Sequence, residues 1–222
     1  MNYGGANAKP FITHHNDYNK DMYMRIAPEL FLKRCVVGGL EKVFEINRNF
    51  RNEGADSSHS PEFAILEMYW AYADWRTMKA LTQELVQNAA RDVFGSHSVT
   101  HYNGSVHNLG GEWKEIDFYD AINSKVDIEV SPETNFDELK KLAQRIGLKV
   151  DPKWVHGKLA EEIFEFVYKE HLQEPTFVMG YPVDTSPLVR EHRDRKGIVE
   201  KWDLYFGGFE LATGYSELVD PV

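Results

Sequence analysis

The sequence predicts an α+β fold, in which an antiparallel β-sheet is flanked by helices. Two strand-like segments, at about residues 42–51 and 62–73, lie on either side of the turn-rich stretch NEGADSSHSP and indicate a hairpin. Further strand-like segments, TFVMGYP and KWDLYFGGFELATGYSEL, lie near the C-terminal end, and amphipathic helices separate the two groups. Hairpins with segregated helices are typical of α+β domains.

Each predicted helix follows a start or stop signal. The first begins at Pro28, whose missing N–H costs nothing at the first helical position, and it ends at Gly38-Gly39. The second begins after Asp74, a favourable N-cap residue. Its apolar residues recur at helical spacing: Met78, Leu81, Leu85 and Ala89. Two more amphipathic helices are predicted at about residues 135–145 and 158–171.

Composition limits the classes of function. The 222-residue chain has a formal net charge of −10, which argues against general binding of nucleic acid, although 25 Lys and Arg residues allow a local basic strip. The single cysteine, Cys35, is interpreted as a small buried side chain in a reducing compartment. No apolar run reaches membrane-spanning length and the first residues do not resemble a signal peptide, so we expect a cytoplasmic protein with no membrane partner.

Alternation along the two predicted strands sorts the side chains of the hairpin into two faces. One face is apolar apart from Arg48 and is expected to pack on the core: Phe44, Ile46, Phe50, Ala64, Leu66, Met68, Trp70 and Tyr72. The other face mixes charged, amide and aromatic groups: Glu45, Asn47, Asn49, Arg51, Phe63, Ile65, Glu67 and Tyr69. This mixture suits a concave binding site, and the alternative is a solvent-exposed sheet surface.

The hairpin sequence FEINRNFRNEGADSSHSPEF resembles motif 2 of the class II aminoacyl-tRNA synthetases, whose Arg-x-Glu is here Arg51-Asn52-Glu53. Four further segments resemble bacterial lysyl-tRNA synthetases: GGANAKPFITHHND, MRIAPELFLKR, EPTFVMGYPV and GYSEL. The resemblance implies the class II catalytic fold, with motif 2 at about residues 42–73. It also implies that residues 1–222 are a partial catalytic domain, incomplete at both ends. Motif 1, motif 3 and the anticodon-binding barrel have no counterpart in the chain.

The resemblance implies ATP-dependent activation of lysine to lysyl-adenylate and its transfer to tRNA. Arg51 is then the catalytic residue, clamping the α-phosphate and the lysine carboxylate with its planar, always-charged guanidinium. Glu53 and His59 are expected near the nucleotide, and Phe63 is expected to stack on adenine. Because the carboxylate is already a nucleophile, catalysis consists mostly of positioning and electrostatic stabilisation.

The same resemblance implies a set of lysine-binding residues: Gly5, Glu29, Glu67, Tyr69, Thr213, Tyr215 and Glu217. Glu29 and Glu67 are expected to bind the α-amino group, with backbone around Gly5 closing the pocket. Tyr69 and Glu217 are expected to bind the ε-ammonium. A ligand with two separate ammonium groups needs acids at both ends, because an unpaired buried charge is costly.

The C-terminal strand segment carries the remaining implied contacts. Tyr215 is expected to pack along the aliphatic part of the ligand, and Thr213 stands where many relatives carry Asn. Asp203 and Glu210 match the positions that hold Mg²⁺ against the ATP phosphates, a role suited to hard carboxylate oxygens. Residues seven apart have opposite parity on a regular strand, so we expect Gly207-Gly208 to form a bulge or tight bend that brings the two acids together.

Several functions remain open for this segment. A complete relative is expected to be a homodimer that binds L-lysine, ATP and tRNA. One alternative is a non-catalytic lysine-binding or partner-binding module, and another is a lysine-activating relative that charges a protein or lipid. A sibling synthetase for aspartate or asparagine is disfavoured because Glu29 and Glu217 would repel the carboxylate of aspartate.

Overall fold

The computed structural model describes residue 6 and residues 8–55, 59–101 and 103–219. The chain divides into two compact units, Met1–Ala73 and Asp74–Val222. Within the described ranges, no helix is long and apolar enough to cross a membrane.

The first unit contains two hairpins and one helix. Its elements in chain order are β1 (Ile12–His15), β2 (Lys20–Tyr23), α1 (Glu29–Val37), β3 (Lys42–Phe50) and β4 (Glu62–Trp70). β1 pairs with β2 and β3 pairs with β4, both antiparallel. The predicted motif 2 hairpin and the helix that follows Pro28 are confirmed. The β1–β2 hairpin was not predicted, because its segment lacks a clear alternation of polar and apolar residues.

The apolar face of the β3–β4 hairpin differs from the prediction. Phe44 is 69% exposed and Ile46 is 68% exposed, so the expected core packing of this face is wrong for these two side chains. The reason is the position of α1, which makes its side-chain contacts with the mixed face, where Lys33 lies over the ring of Tyr69. The prediction that Cys35 is buried is also wrong, because α1 buries Glu29 and Leu32 in its first turn and exposes Cys35 further along.

The second unit is a four-stranded sheet with helices and a small hairpin. Its elements in chain order are α2 (Trp75–Phe94), β5 (Ser98–Thr100), β6 (Val106–Asn108), β7 (Lys114–Asp117), α3 (Phe118–Asn123), α4 (Phe136–Ile146), α5 (His156–Val167), β8 (Thr176–Met179), β9 (Lys201–Phe206) and β10 (Phe209–Tyr215). The order in the main sheet is β10-β9-β8-β7. Its β10–β9 and β9–β8 pairs are antiparallel, as the predicted fold class requires, and β7 joins β8 in parallel.

Capping residues set the ends of the helices in this unit. The Asp74 carboxylate accepts hydrogen bonds from the backbone N–H groups of Arg76 and Thr77, so the predicted start of α2 is confirmed. Asn135 caps α4 in the same way. The helix predicted at about 158–171 begins slightly earlier, as α5, and a separate 3-10 turn at Lys169–His171 forms its expected final part.

Alternation along β9 divides the core of the second unit into two clusters. Trp202 and Leu204 pack with aromatic side chains that include Trp75 at the start of α2. Tyr205 points to the other face, where α3, α4 and α5 supply the larger cluster. Asp203 has the same parity as Tyr205 and is itself buried. The fold therefore places a buried carboxylate on the helix-covered face of the sheet.

Candidate functional site

Two carboxyl groups interact on the mixed face of the β3–β4 hairpin. Glu29, at the start of α1, is 8% exposed, and Glu67 lies in the middle of β4. Burial, together with the negative charge of Glu29, raises the pKa of Glu67 to about 7 from the ordinary 4.5. The Oε2 atom of Glu67 is buried and has no hydrogen-bond partner among the described residues. Two neighbouring acids with too little positive charge around them are a suitable binding partner for a cation. We call Glu29 and Glu67 the acid pair.

Three cations of the same unit act on the acid pair. The Nζ of Lys33 donates to Oε1 of Glu29 at 2.5 Å and lies 5.7 Å from the ring centroid of Tyr69. The charges of Arg51, Lys33 and Arg25 lower the pKa of Glu67, although they do not offset the opposing effects of burial and Glu29. The acid pair is therefore only partly neutralised by the protein.

Glu45 lies directly opposite Glu67 in the strand register but has the opposite electrostatic character. Its Oε1 accepts hydrogen bonds from Nδ2 of Asn47 at 2.7 Å and from Nη1 of Arg25 at 2.6 Å. These two contacts hold the pKa of Glu45 below its ordinary value. Glu45 is therefore paired with Arg25, whereas Glu67 is the acid that could bind a further cation.

Arg51 follows β3 directly and lies beside Phe63 of β4. Its guanidinium carbon is 4.9 Å from the centroid of the Phe63 ring, and its Nε donates to the carbonyl oxygen of Ile26 at 3.4 Å. The structure thus brings together two of the residues predicted for the nucleotide. Glu53 and His59 are both exposed in the connecting segment. Gly5, predicted to close the lysine pocket, lies outside the described residues.

The sequence-based residue set did not include two side chains on this face. Asn49 is completely buried, and neither Oδ1 nor Nδ2 has a hydrogen-bond partner among the described residues. Its parity on β3 had placed it on the mixed face, which was the available signal. Lys33 contacts Glu29 because residues four apart meet on one side of a helix, and this spacing was also visible in the sequence.

The β9–β10 hairpin brings the two predicted magnesium ligands to one face. Thr213 lies opposite Asp203 and Glu210 lies opposite Tyr205, with a register shift between Glu210 and Ala212. Gly207 and Gly208 form the connecting turn with φ values of 62° and 79°, in the left-handed region that favours glycine. The expected bend is present and by itself places Glu210 on the face of Asp203, while the register shift that follows brings Thr213 opposite Asp203.

The environment of Asp203 suits a bound cation. Its Oδ2 lies 3.0 Å from Nζ of Lys201, and its buried Oδ1 makes no well-formed hydrogen bond in the described ranges. The hydroxyl of the neighbouring Tyr181, whose pKa is raised by burial and by the charge of Asp203, is a potential donor to this carboxylate. Burial and the charge of Asp203 raise the pKa of Glu210 to about 7, although part of this residue is exposed at the start of β10. No cluster of three or more potential metal-ligating side chains occurs in the part of the chain that is described. Two carboxylates on one face of a hairpin are compatible with a Mg²⁺ ion that takes its other ligands from phosphates.

The other predicted lysine contacts of the second unit follow along the same strand. Thr213 donates from Oγ1 to the carbonyl oxygen of Trp202 at 3.4 Å, and Tyr215 lies opposite Lys201. Glu217 comes just after β10, where it forms a backbone bridge with Val189 and is partly buried. The unit thus presents Asp203, Thr213 and Tyr215 from one face of the β9–β10 pair.

Comparison with known families decides the class of protein. Over residues 1–222 the chain matches the family described as tRNA synthetases class II (D, K and N). The chain belongs to the class II tRNA synthetases. The family predicted from the motif 2 hairpin is thereby confirmed, together with its α+β fold.

Three relatives of this synthetase chain are named lysine–tRNA ligase. The chain is 58% identical over 221 residues to the lysine–tRNA ligase of Kineococcus radiotolerans, covering 99% of this chain and 44% of that protein. It is 51% identical to the lysine–tRNA ligase of Mycolicibacterium gilvum, with the same coverage, and 50% identical to that of Mycobacterium tuberculosis, covering 99% of this chain and 45% of the relative. The chain therefore spans less than half the length of these curated relatives.

Proposed function

We propose that this synthetase chain supplies the lysine-binding residues and part of the ATP-binding residues of a lysine–tRNA ligase. In this proposal residues 1–222 form a partial catalytic domain, with motif 2 at about residues 42–73. The observation that carries the proposal is the acid pair, Glu29 and Glu67. The Oε2 atom of Glu67 is buried without a hydrogen-bond partner among the described residues, and the pKa of Glu67 is raised to about 7, so a bound cation would stabilise its ionised form. The names of the relatives support lysine as the ligand that supplies that cation.

Lysine recognition is assigned to acids and aromatic groups. Glu29 and Glu67 bind the α-ammonium, and Tyr69 and Glu217 bind the ε-ammonium. Tyr215 packs along the methylene chain, and Thr213 contributes a hydroxyl group. The same acids disfavour aspartate, because its side-chain carboxylate would meet like charge.

The first chemical step joins lysine to AMP. A carboxylate oxygen of lysine attacks the α-phosphorus of ATP, the bond to the bridging oxygen breaks, and pyrophosphate leaves with the bonding electrons. Arg51 stabilises the negative charge that develops on the α-phosphate. Phe63 provides a stacking surface for adenine, and Glu53 and His59 contact the nucleotide. No general base is required because the attacking carboxylate is already ionised.

Asp203 and Glu210 are the residues assigned to Mg²⁺. When bound, this ion neutralises phosphate charge and orients the phosphates. Asp203 contributes its buried Oδ1 atom, while Lys201 holds Oδ2 in place. A bound cation would favour the ionised form of Glu210 and lower its raised pKa.

The second step belongs to the whole protein. A ribose hydroxyl of tRNA attacks the carbonyl carbon of lysyl-adenylate, and AMP leaves. The name of the relatives, lysine–tRNA ligase, supports tRNA as a substrate of the complete protein. From the resemblance to bacterial lysyl-tRNA synthetases alone, the complete protein is also proposed to form a homodimer and to work in the cytoplasm.

A chimaeric enzyme tests this function in a complete context. The segment of the Kineococcus radiotolerans ligase that matches over 221 residues is replaced by this chain. We expect lysine-dependent exchange of pyrophosphate into ATP, and little exchange with aspartate or asparagine. In the chimaera, Glu217→Gln is expected to lower exchange at low lysine concentration by at least tenfold, because one ammonium loses its carboxylate.

The matched control is Glu170→Gln, since the Glu170 side chain is 82% exposed. This substitution also removes one acid and is expected to leave exchange unchanged. A folded chimaera that exchanges with aspartate but not with lysine would overturn the proposed function.

A further inference from the structure

Lys33 is the cation in closest contact with the acid pair. Its Nζ lies 2.5 Å from Oε1 of Glu29, and the two side chains are only 27% and 11% exposed respectively. The same Nζ lies 5.7 Å from the centroid of the Tyr69 ring. Lys33 thus joins the acid that begins α1 to the aromatic residue two positions after Glu67.

The surroundings of Glu67 define the charge that a ligand would meet. α1 contributes Glu29 and Lys33, the preceding segment contributes Arg25, and the β3 side contributes Glu45 and Arg51. Arg25 is paired with Glu45 at 2.6 Å, and Arg51 lies over Phe63. Lys33 is therefore the cation that contacts the acid pair directly, whereas Arg51 acts on Glu67 through its charge.

We propose that Lys33 is a positioning residue for amino-group recognition: it holds the Glu29 carboxylate in place and supplies positive charge that favours ionised Glu67 beside it, so that the acid pair can bind an ammonium group. This inference rests on the proposed function, because it concerns the same acid pair. Lys33 does not contact the reacting atoms, and it acts through Glu29 and Glu67.

An ordinary i,i+4 helix pair is the simpler interpretation of the Lys33–Glu29 contact. Such pairs contribute about 0.2–0.5 kcal/mol to helix stability. That role would affect the melting temperature slightly and would leave ligand binding and its pH dependence unchanged. The two roles are therefore separable by measuring how lysine affinity depends on pH.

The decisive experiment uses the complete 222-residue chain. Lysine affinity is measured by calorimetry from pH 6 to pH 8.5 for the unsubstituted chain and for Lys33→Met, Lys33→Gln and Lys33→Arg. In parallel, carboxyl ¹³C NMR follows the titration of Glu67 without ligand, which requires no lysine binding. Lys141→Met, which removes a lysine from an exposed position of α4, is the matched control. Circular dichroism establishes that each variant is folded.

For the unsubstituted chain, affinity is expected to rise with pH until Glu67 is ionised, above about pH 7. Lys33→Met and Lys33→Gln remove a nearby positive charge, so Glu67 should titrate about one pH unit higher and the chain should bind lysine about fivefold more weakly at pH 7. Lys33→Arg keeps the charge and should restore affinity to within about threefold. Lys141→Met should match the unsubstituted chain.

Three results would overturn the inference while leaving the proposed function intact. One is an unchanged pH profile and affinity in the folded Met and Gln variants. Another is tighter lysine binding in those variants, which would make Lys33 a competitor of the ligand. A Lys33→Arg variant as weak as Lys33→Met would also contradict it, since charge would not be the cause. Absence of lysine binding to the unsubstituted chain would instead contradict the proposed function itself.

Discussion

At the scale of single residues, the unit that carries motif 2 contains two neighbouring acids with different charge states. Glu45 has Asn47 and Arg25 as hydrogen-bond donors, and its pKa lies below the ordinary value. Glu67 is more buried and faces Glu29, and its pKa is about 7. Strand position alone does not distinguish them, because they lie opposite each other in the register. The difference comes from cations contributed by other segments.

The raised pKa of Glu67 predicts a pH-dependent stability. The unfolded carboxyl ionises near 4.5 and the folded one near 7, so the folded state holds an extra proton between these values. The free energy of unfolding should therefore fall as pH rises from about 4.5 to about 7. Glu67→Gln lacks this loss, so its free energy of unfolding at pH 8 should exceed that of the unsubstituted chain by about 1–2 kcal/mol. The difference is smaller than for a fully buried carboxyl group because Glu67 is only partly buried.

Urea denaturation between pH 4.5 and pH 8 measures this difference. Glu62→Gln is the matched control, because Glu62 lies on the same strand with its side chain 53% exposed. Parallel stability curves for Glu67→Gln and the unsubstituted chain would show that Glu67 is not held in the folded state with a raised pKa.

Single-residue predictions succeeded where one strand or one helix determines the outcome. Parity placed Arg51 and Phe63 on one face, and the structure brings them into contact. The prediction from parity that Phe44 and Ile46 are buried was wrong, because the apolar character of a face does not specify which face α1 covers. The complete burial of Asn49 depends on packing between segments distant in sequence, which the local pattern does not contain. The Lys33–Glu29 contact follows from i,i+4 spacing on one helix, but its position beside Glu67 again depends on how α1 packs on the hairpin.

At the scale of elements, the β9–β10 hairpin depends on close contact between a strand and an aromatic ring. A Cβ added at Gly214 would lie 2.2 Å from Cζ2 of Trp202, whose ring is buried against Trp75 and Phe177. Gly214 lies between Thr213 and Tyr215, two of the proposed lysine contacts. The hairpin and its glycine turn were predicted from the sequence, but the register shift after Glu210 was not located, because nothing in the strand pattern marks it.

Gly214→Ala is expected to destabilise the second unit. The added methyl group must displace the Trp202 ring or the strand, at a cost of about 1–3 kcal/mol. Chemical denaturation followed by tryptophan fluorescence measures the loss. Gly54→Ala is the control, because a Cβ there meets nothing within 4 Å, and its effect should stay within about 0.5 kcal/mol. Equal effects of the two substitutions would contradict this packing.

At the scale of the whole molecule, one family match extends across both compact units. The class of protein was predictable because motif 2 and four other segments are distinctive stretches of sequence. The division at Ala73/Asp74 was not predictable, since the chain there shows only a helix cap. Each unit contains a buried or partly buried acid with a raised pKa: Glu67 in the first, and Glu161 and Glu210 in the second.

The lysine pocket is tested by calorimetric titration of lysine into the purified chain, with ornithine, arginine and aspartate as competitors and Glu217→Gln as the variant. We expect saturable binding with a preference for lysine, no binding of aspartate, and at least a tenfold loss of lysine affinity in Glu217→Gln. Tighter binding of aspartate, or lysine affinity that is unchanged in Glu217→Gln, would contradict the assignment of these acids to the ammonium groups of lysine.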